Sequence, residues 1–224
     1  MAMAMQGSGS SNCDVGTVQL RLNDDGFYTL MVGCSDMGTG CDTIHAQMAA
    51  DCMGCDLDKI VVYGVDTDQS PYDSGSYASS TTYVTGMAVV KTCEIMKNKI
   101  MNAASEILGI GKENLFFDGE RGFAVEDENT GISLADLVTK LQAGRGEVLF
   151  AQASHTSPVS PPPFMAGAAE VEIDLETGKI TPIDYVACVD CGTVVNANLA
   201  KVQTEGGLVQ GMGMALSEDV LYTD

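Results

Sequence analysis

VQLRLNDDGFYTLMVGCSDMGTGCDTIHAQM, residues 18–48, changes its hydrophobic rhythm halfway along. Val18, Leu20 and Leu22 alternate with polar residues, and Tyr28, Leu30 and Val32 repeat the pattern after Asn23-Asp24-Asp25-Gly26. Alternation with period two marks half-buried strands, and an Asn/Asp/Gly cluster between two such runs marks a hairpin turn. Strands are therefore predicted over 18–22 and 27–32. Beyond Asp36-Met37-Gly38-Thr39-Gly40 the rhythm lengthens. Ile44, Met48 and Cys52 recur at helical spacing, which predicts a helix over 43–53. KIVVYG, 59–64, then reads as a short β-branched strand.

The same reasoning carries through the rest of the chain. Residues 66–82 are rich in Ser, Thr, Asp, Gly and Pro and form a loop. A long helix is predicted over 80–108, with Val84, Ala88, Cys93, Ile95, Ile100, Ala104 and Leu108 as its apolar stripe and Gly109 as its stop. A hairpin follows around Asp118-Gly119-Glu120, and Ser133 caps a short helix that ends at a glycine. HTSPVSPPPF, 155–164, is a rigid proline-rich connector. Residues 169–174 and 180–189 form a hairpin across Glu176-Thr177-Gly178. The helical pattern over 199–216 contains Gly206, Gly207, Gly211 and Gly213. These cost helix stability, so another backbone or a ligand is expected to approach them closely. The fold class is α+β: mixed sheets with hairpins packed against long helices. The connector joins 1–154 to 165–224, and the two parts are expected to act as one functional unit.

Composition narrows the function classes. The 224 residues are 45% hydrophobic, enough for a substantial core, but only 6% aromatic and without Trp, so Met and Cys share the filling. Asp and Glu total 31 against 11 Lys and Arg. That balance argues against a nucleic-acid backbone or an anionic membrane as partner. No apolar run spans a bilayer, and MAMAMQGSG has neither a charged leader nor a long apolar stretch. A cytoplasmic location with reduced cysteines is the expectation.

Cys52-Met-Gly-Cys55 and Cys188-Val-Asp-Cys191 invite a zinc reading. One pair ends a helix pattern and the other lies in a strand pattern, where a zinc knuckle needs turns. Small buried thiols are the expected outcome. His45 and His155 read as structural histidines, and no GxSxG elbow is present. Glu170, Glu172 and Asp174 read as a solvated strand face.

Three segments share a design in which a polar or glycine-rich turn feeds a helix: DMGTG at 36–40, SYASSTT at 76–82 and KVQTEGG at 201–207. The start of a helix offers unpaired N–H groups and partial positive charge, so it can hold a phosphate without lysines. Plain helix capping by Ser and Thr explains each segment equally well. None fits a dinucleotide or P-loop fingerprint.

Taken together, the motifs resemble the molybdenum-binding part of the xanthine dehydrogenase and aldehyde oxidase family. DMGTG resembles that family's MGQG turn. DTDQSPYDSGSYASSTTYVTGMAV, 66–89, resembles its loop and helix between substrate cavity and cofactor. The stretch from Ala168 through Asp219 resembles its long EVEVD-TG … Q-EGG-QG-G-AL-E segment. Order and spacing agree over roughly residues 15–218.

The resemblance implies a set of roles. Met37, Gly38, Thr39 and Gly40 would contact a molybdopterin cofactor carrying molybdenum, with Thr39 standing where the family has Gln. Ala78, Ser79, Thr81 and Thr82 would hold its phosphate end, and Gln203 would hydrogen-bond it. Asn196 stands at the family's Asn-Pro turn, followed here by Ala. Metal would be held by the cofactor, so the cysteines need not be ligands. No catalytic residue is expected on this chain, because the family's glutamate base falls in a segment beyond Asp224. The chain thus resembles one piece of the domain, a split subunit or a shortened form of a longer chain. The implied reaction is hydroxylation of a purine, a nicotinate-like ring or an aldehyde, with electrons leaving through 2Fe-2S and FAD partners. A pterin extended by cytosine dinucleotide is expected. The other reading is a non-catalytic scaffold that braces the cofactor-binding half of a heteromer.

Overall fold

In the computed structural model, which describes residues 1–127 and 129–223, Ala2–Met5 (β1) precedes the hairpin expected from the alternating pattern, Gly16–Leu22 (β2) and Tyr28–Val32 (β3). Register explains why this hairpin anchors the core. Val18 faces Val32, Leu20 faces Leu30, and Leu22 faces Tyr28, and all six are fully or almost fully buried. Directly opposed apolar pairs on one face fix the pairing, because a one-residue slip would turn them all to solvent.

Cys41–Met53 (α1) then crosses to Ile60–Tyr63 (β4), which runs parallel to β3. Parallel neighbours need such a crossover. Gly54 ends α1 in the left-handed conformation at φ 75°, as a C-terminal glycine commonly does. The long helix starts with a π-helical turn, Thr81–Thr85, and continues as Gly86–Leu108 (α2). Its buried stripe holds Ala88, Val89, Cys93, Met96, Ile100 and Ala104. Ile95, expected in the stripe, is 38% exposed, because Met96 takes the inward position one residue on. The Thr92 hydroxyl lies 2.7 Å from the Ala88 carbonyl and 3.2 Å from that of Val18, helix against sheet.

Leu115–Phe117 (β5), Arg121–Ala124 (β6) and Gly131–Ser133 (β7) form a small antiparallel sheet. The third strand lacks a legible pattern at three residues. Leu134–Arg145 (α3) is capped by Ser133, whose hydroxyl oxygen accepts from the Asp136 N–H. The helix runs through Gly144 and stops at Gly146. Phe150–His155 (β8) then pairs with the free side of β2, giving the order β4-β3-β2-β8.

Phe164–Ile173 (β9) and Ile180–Asp190 (β10) are the second long hairpin, and β1 pairs with β9. Its register shifts between Pro182 and Asp184. A proline has no N–H to donate to the ladder, and irregular edge positions accommodate it. Ala197–Leu216 (α4) starts at Asn196, whose side-chain oxygen accepts from the Leu199 N–H at 3.1 Å.

The chain divides into two units. One is Gly9–Ser160; the other joins Met1–Ser8 to Pro161–Asp224. The division falls inside the proline-rich connector. Nearly all of the buried hydrophobic core belongs to the first unit. No helix among the described residues is long and apolar enough to cross a membrane.

Candidate functional site

The DMGTG turn is shaped by its own aspartate. Oδ1 of Asp36 accepts from the N–H groups of Gly38 (2.9 Å) and Gly40 (3.1 Å), and Oδ2 accepts from Asp42 (3.4 Å). Partial burial alone would push this carboxyl up, but these N–H donors together hold it below the usual carboxylate range. Gly40 occupies the cap of α1 at φ 75° and Gly38 has φ 96°, conformations that favour glycine. Glycine also brings no capping side chain, so Asp36 reaches forward to do that work. The donors that sequence reading reserved for a bound anion thus face the chain's own carboxylate. The outer side of the turn is open: Met37 is 65% exposed, and a Cβ added to Gly38 would meet nothing within 4 Å. The Thr39 hydroxyl is turned to the sulfur of Cys41.

The second segment lies beside the first. Ser76 donates its hydroxyl to the Ser35 carbonyl at 2.7 Å, and the ring Nε2 of His45 lies 3.4 Å from the Thr81 carbonyl. Ala78 and Ser79 both adopt left-handed backbone, φ 51° and 56°. Such conformations cost energy in residues with a Cβ and concentrate where a loop serves a ligand. Surrounding bonds hold them there. The Ala78 carbonyl accepts from Gly9 at 2.7 Å, Ser80 donates to the Tyr77 carbonyl at 2.8 Å, and the Tyr77 hydroxyl donates to Asp14 at 2.8 Å. The π-helical turn follows at once, a feature frequent at functional sites. Ser79 and Thr82 are exposed and Thr81 is half-buried. Among the described residues, the hydroxyls of Ser79, Thr81 and Thr82 and the N–H groups of Ala78 and Ser79 have no acceptor. A helix start supplies further unpaired N–H groups.

The structure therefore gathers residues 37–40 and 78–82 into one region of the unit Gly9–Ser160. Gln203 belongs to the other unit, exposed in the middle of α4. KVQTEGG is accordingly not a turn feeding a helix, as its composition suggested, but helix interior. Nothing of this chain lies within 4 Å of a Cβ added to Gly206, Gly207 or Gly211, so the close approach expected at these glycines is not made within these residues.

The cysteines also differ from expectation. Cys13, Cys188 and Cys191 are exposed, while Cys52 and Cys55 are half-buried. The two CxxC pairs lie in different units. Cys52 hydrogen-bonds Cys93, which brings its thiol down to about 7. His45 is wholly buried, in line with a structural role, and burial lowers its basicity. Asp36 and Asp14 escaped the sequence reading. For Asp36 a signal existed, since an aspartate two residues before a glycine favours a side-chain-to-backbone turn.

The open donors are amides and hydroxyls. Such a set suits phosphate oxygens and polar ring edges rather than a directly bound metal, and so fits a cofactor that carries its own metal ligands.

The whole chain matches known proteins. The family described as the molybdopterin cofactor-binding domain matches residues 1–224. "Probable hypoxanthine oxidase XdhD" of Escherichia coli (strain K12) is 32% identical over 225 residues, 99% of this chain and 23% of that protein. The nicotine 6-hydroxylase large subunit of Paenarthrobacter nicotinovorans is 28% identical over 97% of this chain and 28% of its own length. In fold, the chain resembles a Cu,Mo-CO dehydrogenase structure with a TM-score of 0.85 at 24% identity, covering 99% of this chain and 30% of that one. The chain thus spans about a quarter of the length of the curated relatives it matches. With the match running through both units, the chain belongs to the molybdopterin cofactor-binding domain family.

Proposed function

We propose that this chain supplies part of the cofactor cradle of a molybdenum hydroxylase that oxidises an N-heteroaromatic ring, purine or nicotinate-like, or an aldehyde. The observation that carries the reading is the pair of left-handed residues Ala78 and Ser79, with open N–H and hydroxyl donors, set beside the DMGTG turn. Ser79, Thr81 and Thr82 bind the phosphate end of the pterin, in its cytosine dinucleotide form. The donors are neutral, so they add no cation to a chain of net charge −20. Met37 and Gly38 present the open edge of the first turn to the cofactor, with Thr39 and Gly40 behind them, and Asp36 keeps the turn in shape before binding. Such preorganisation lowers the ordering cost of association. Gln203 contributes a hydrogen bond from α4. When bound, the cofactor supplies the metal that transfers a water-derived oxygen and accepts the substrate's electrons. The base for that reaction is a glutamate outside these 224 residues, and 2Fe-2S and FAD partners carry the electrons onward. The names of the relatives, a hypoxanthine oxidase and a nicotine hydroxylase, favour a nitrogen heterocycle as substrate.

Molybdenum and pterin per chain, measured on the protein purified with its native partners, test this reading. Near-stoichiometric molybdenum is expected, with a several-fold loss of occupancy in Ser79→Ala and in Gln203→Ala. Unchanged occupancy in both variants would overturn the placement. Absence of molybdenum from an intact assembly would leave the chain a scaffold.

A further inference from the structure

Beneath the DMGTG turn three soft donors converge. Cys34 follows β3, Cys41 opens α1, and His45 stands four residues further along the same helix, so Cys41 and His45 share a face. All three are essentially inaccessible, at 1%, 2% and 0% exposure. Their ligating atoms all lie within 4.8 Å of one another. The Nδ1 of His45 is 3.7 Å from the Cys34 sulfur. A tetrahedral zinc, with Zn–S about 2.3 Å and Zn–N about 2.0 Å, sets a sulfur and a nitrogen ligand about 3.5 Å apart.

The imidazole is already oriented for ligation. Its Nε2 faces the Thr81 carbonyl, and a carbonyl can only accept, so the proton sits on Nε2 and the lone pair of Nδ1 faces the sulfurs. Metal-bound histidines commonly donate their other ring N–H to a carbonyl in this way. Asp42 lies to one side of this group: its Oδ1 is 3.9 Å from the Cys41 sulfur, in a separate close group with Asp36 and Cys41.

We propose that Cys34, Cys41 and His45 form a zinc site, its fourth position left to a small ligand such as water, that clamps the DMGTG turn to α1. Two thiolates and an imidazole select zinc over the oxygen-seeking magnesium and calcium. Through the His45–Thr81 bond the clamp reaches the Ala78–Thr82 turn, so one ion fixes both. Binding releases the two thiol protons, which balances the charge of the ion, so the clamp adds no net charge beside Asp36 and Asp42. The spacing, Cys-x6-Cys-x3-His, contains no CxxC and escapes motif reading. This inference goes beyond the cofactor reading and does not depend on it.

The test is made on the full chain with its partners. The protein is chelated under reducing conditions and given zinc, and zinc is then counted per chain and examined at the zinc K-edge, where iron and molybdenum do not contribute. One zinc per chain is expected, with two sulfur neighbours at about 2.3 Å. Cys34→Ser and Cys41→Ser should each lose it, whereas Cys52→Ser should keep it. The proposal is overturned if no zinc is taken up, if zinc sits among oxygen and nitrogen atoms only, or if both serine variants retain it. A Cys34–Cys41 disulfide that persists through reduction would also overturn it. Should the serine variants fail to fold, the K-edge of the unmodified protein still decides. Molybdenum counted on the same samples separates failure of this site from failure of the cofactor reading.

Discussion

Tyr28 carries a hydroxyl into the middle of the core, fully buried and without a partner among the described residues. Burial raises its pKa above that of an ordinary phenol. A buried hydroxyl left unpaired costs about 1–3 kcal/mol. Tyr28→Phe should therefore stabilise the protein by about 1 kcal/mol, read as a raised urea midpoint at unchanged slope. A loss of stability would show that the hydroxyl has a partner after all. The residue scale also marks where sequence reading stopped. That Tyr28 is inward followed from its alternation with Leu30 and Val32; that its oxygen would find nothing to bond did not. Asp36 is similar. The glycines of DMGTG announced a turn, but an aspartate looks the same whether it faces water or closes the turn on itself.

Among the elements, α2 is the one on which the first unit is assembled, and its start is unusually close to β2. A Cβ on Gly16 would fall 2.7 Å from the Thr85 Cα, a contact with main chain that no rotamer relieves. Thr85 is fixed in turn, donating its hydroxyl to Asp73 at 2.8 Å. Gly16→Ala should cost about 1–3 kcal/mol through overpacking, and because the strain falls on the π-helical turn, molybdenum occupancy should fall with it. Thermal unfolding and metal content of the same preparation check both; an alanine variant as stable as the parent would mean that the turn yields freely. The hairpins and long helices were legible because their periodicity is strong. β1, β7 and β8 were not, since strands this short or polar acquire their identity from a neighbour rather than from their own pattern. The same holds for Gln203. Its side chain was legible in the family motif, yet local composition placed it at a turn, and only the continuous helix corrects that.

At the scale of the whole molecule, the two units differ in kind. The first has a packed interior, while the second leaves Met3, Phe164, Val171, Ile173, Ile183, Val186, Val209 and Met214 open, each more than a third exposed. Apolar surface on this scale marks an interaction face. The isolated chain is therefore expected to associate, and to do so more strongly as salt screens its net charge of −20. Light scattering across a salt series measures this; a monodisperse monomer throughout would count against an unfinished surface. The pairing of β1 with β9 has its own consequence. Ala2 meets Gly167 across the ladder, so during synthesis the first strand must wait until its partner leaves the ribosome. At about 5–20 residues per second that is a delay of roughly 8–30 s, time in which the intervening unit can complete its own core. The earlier strand of this pair is seated only once the later one has been made.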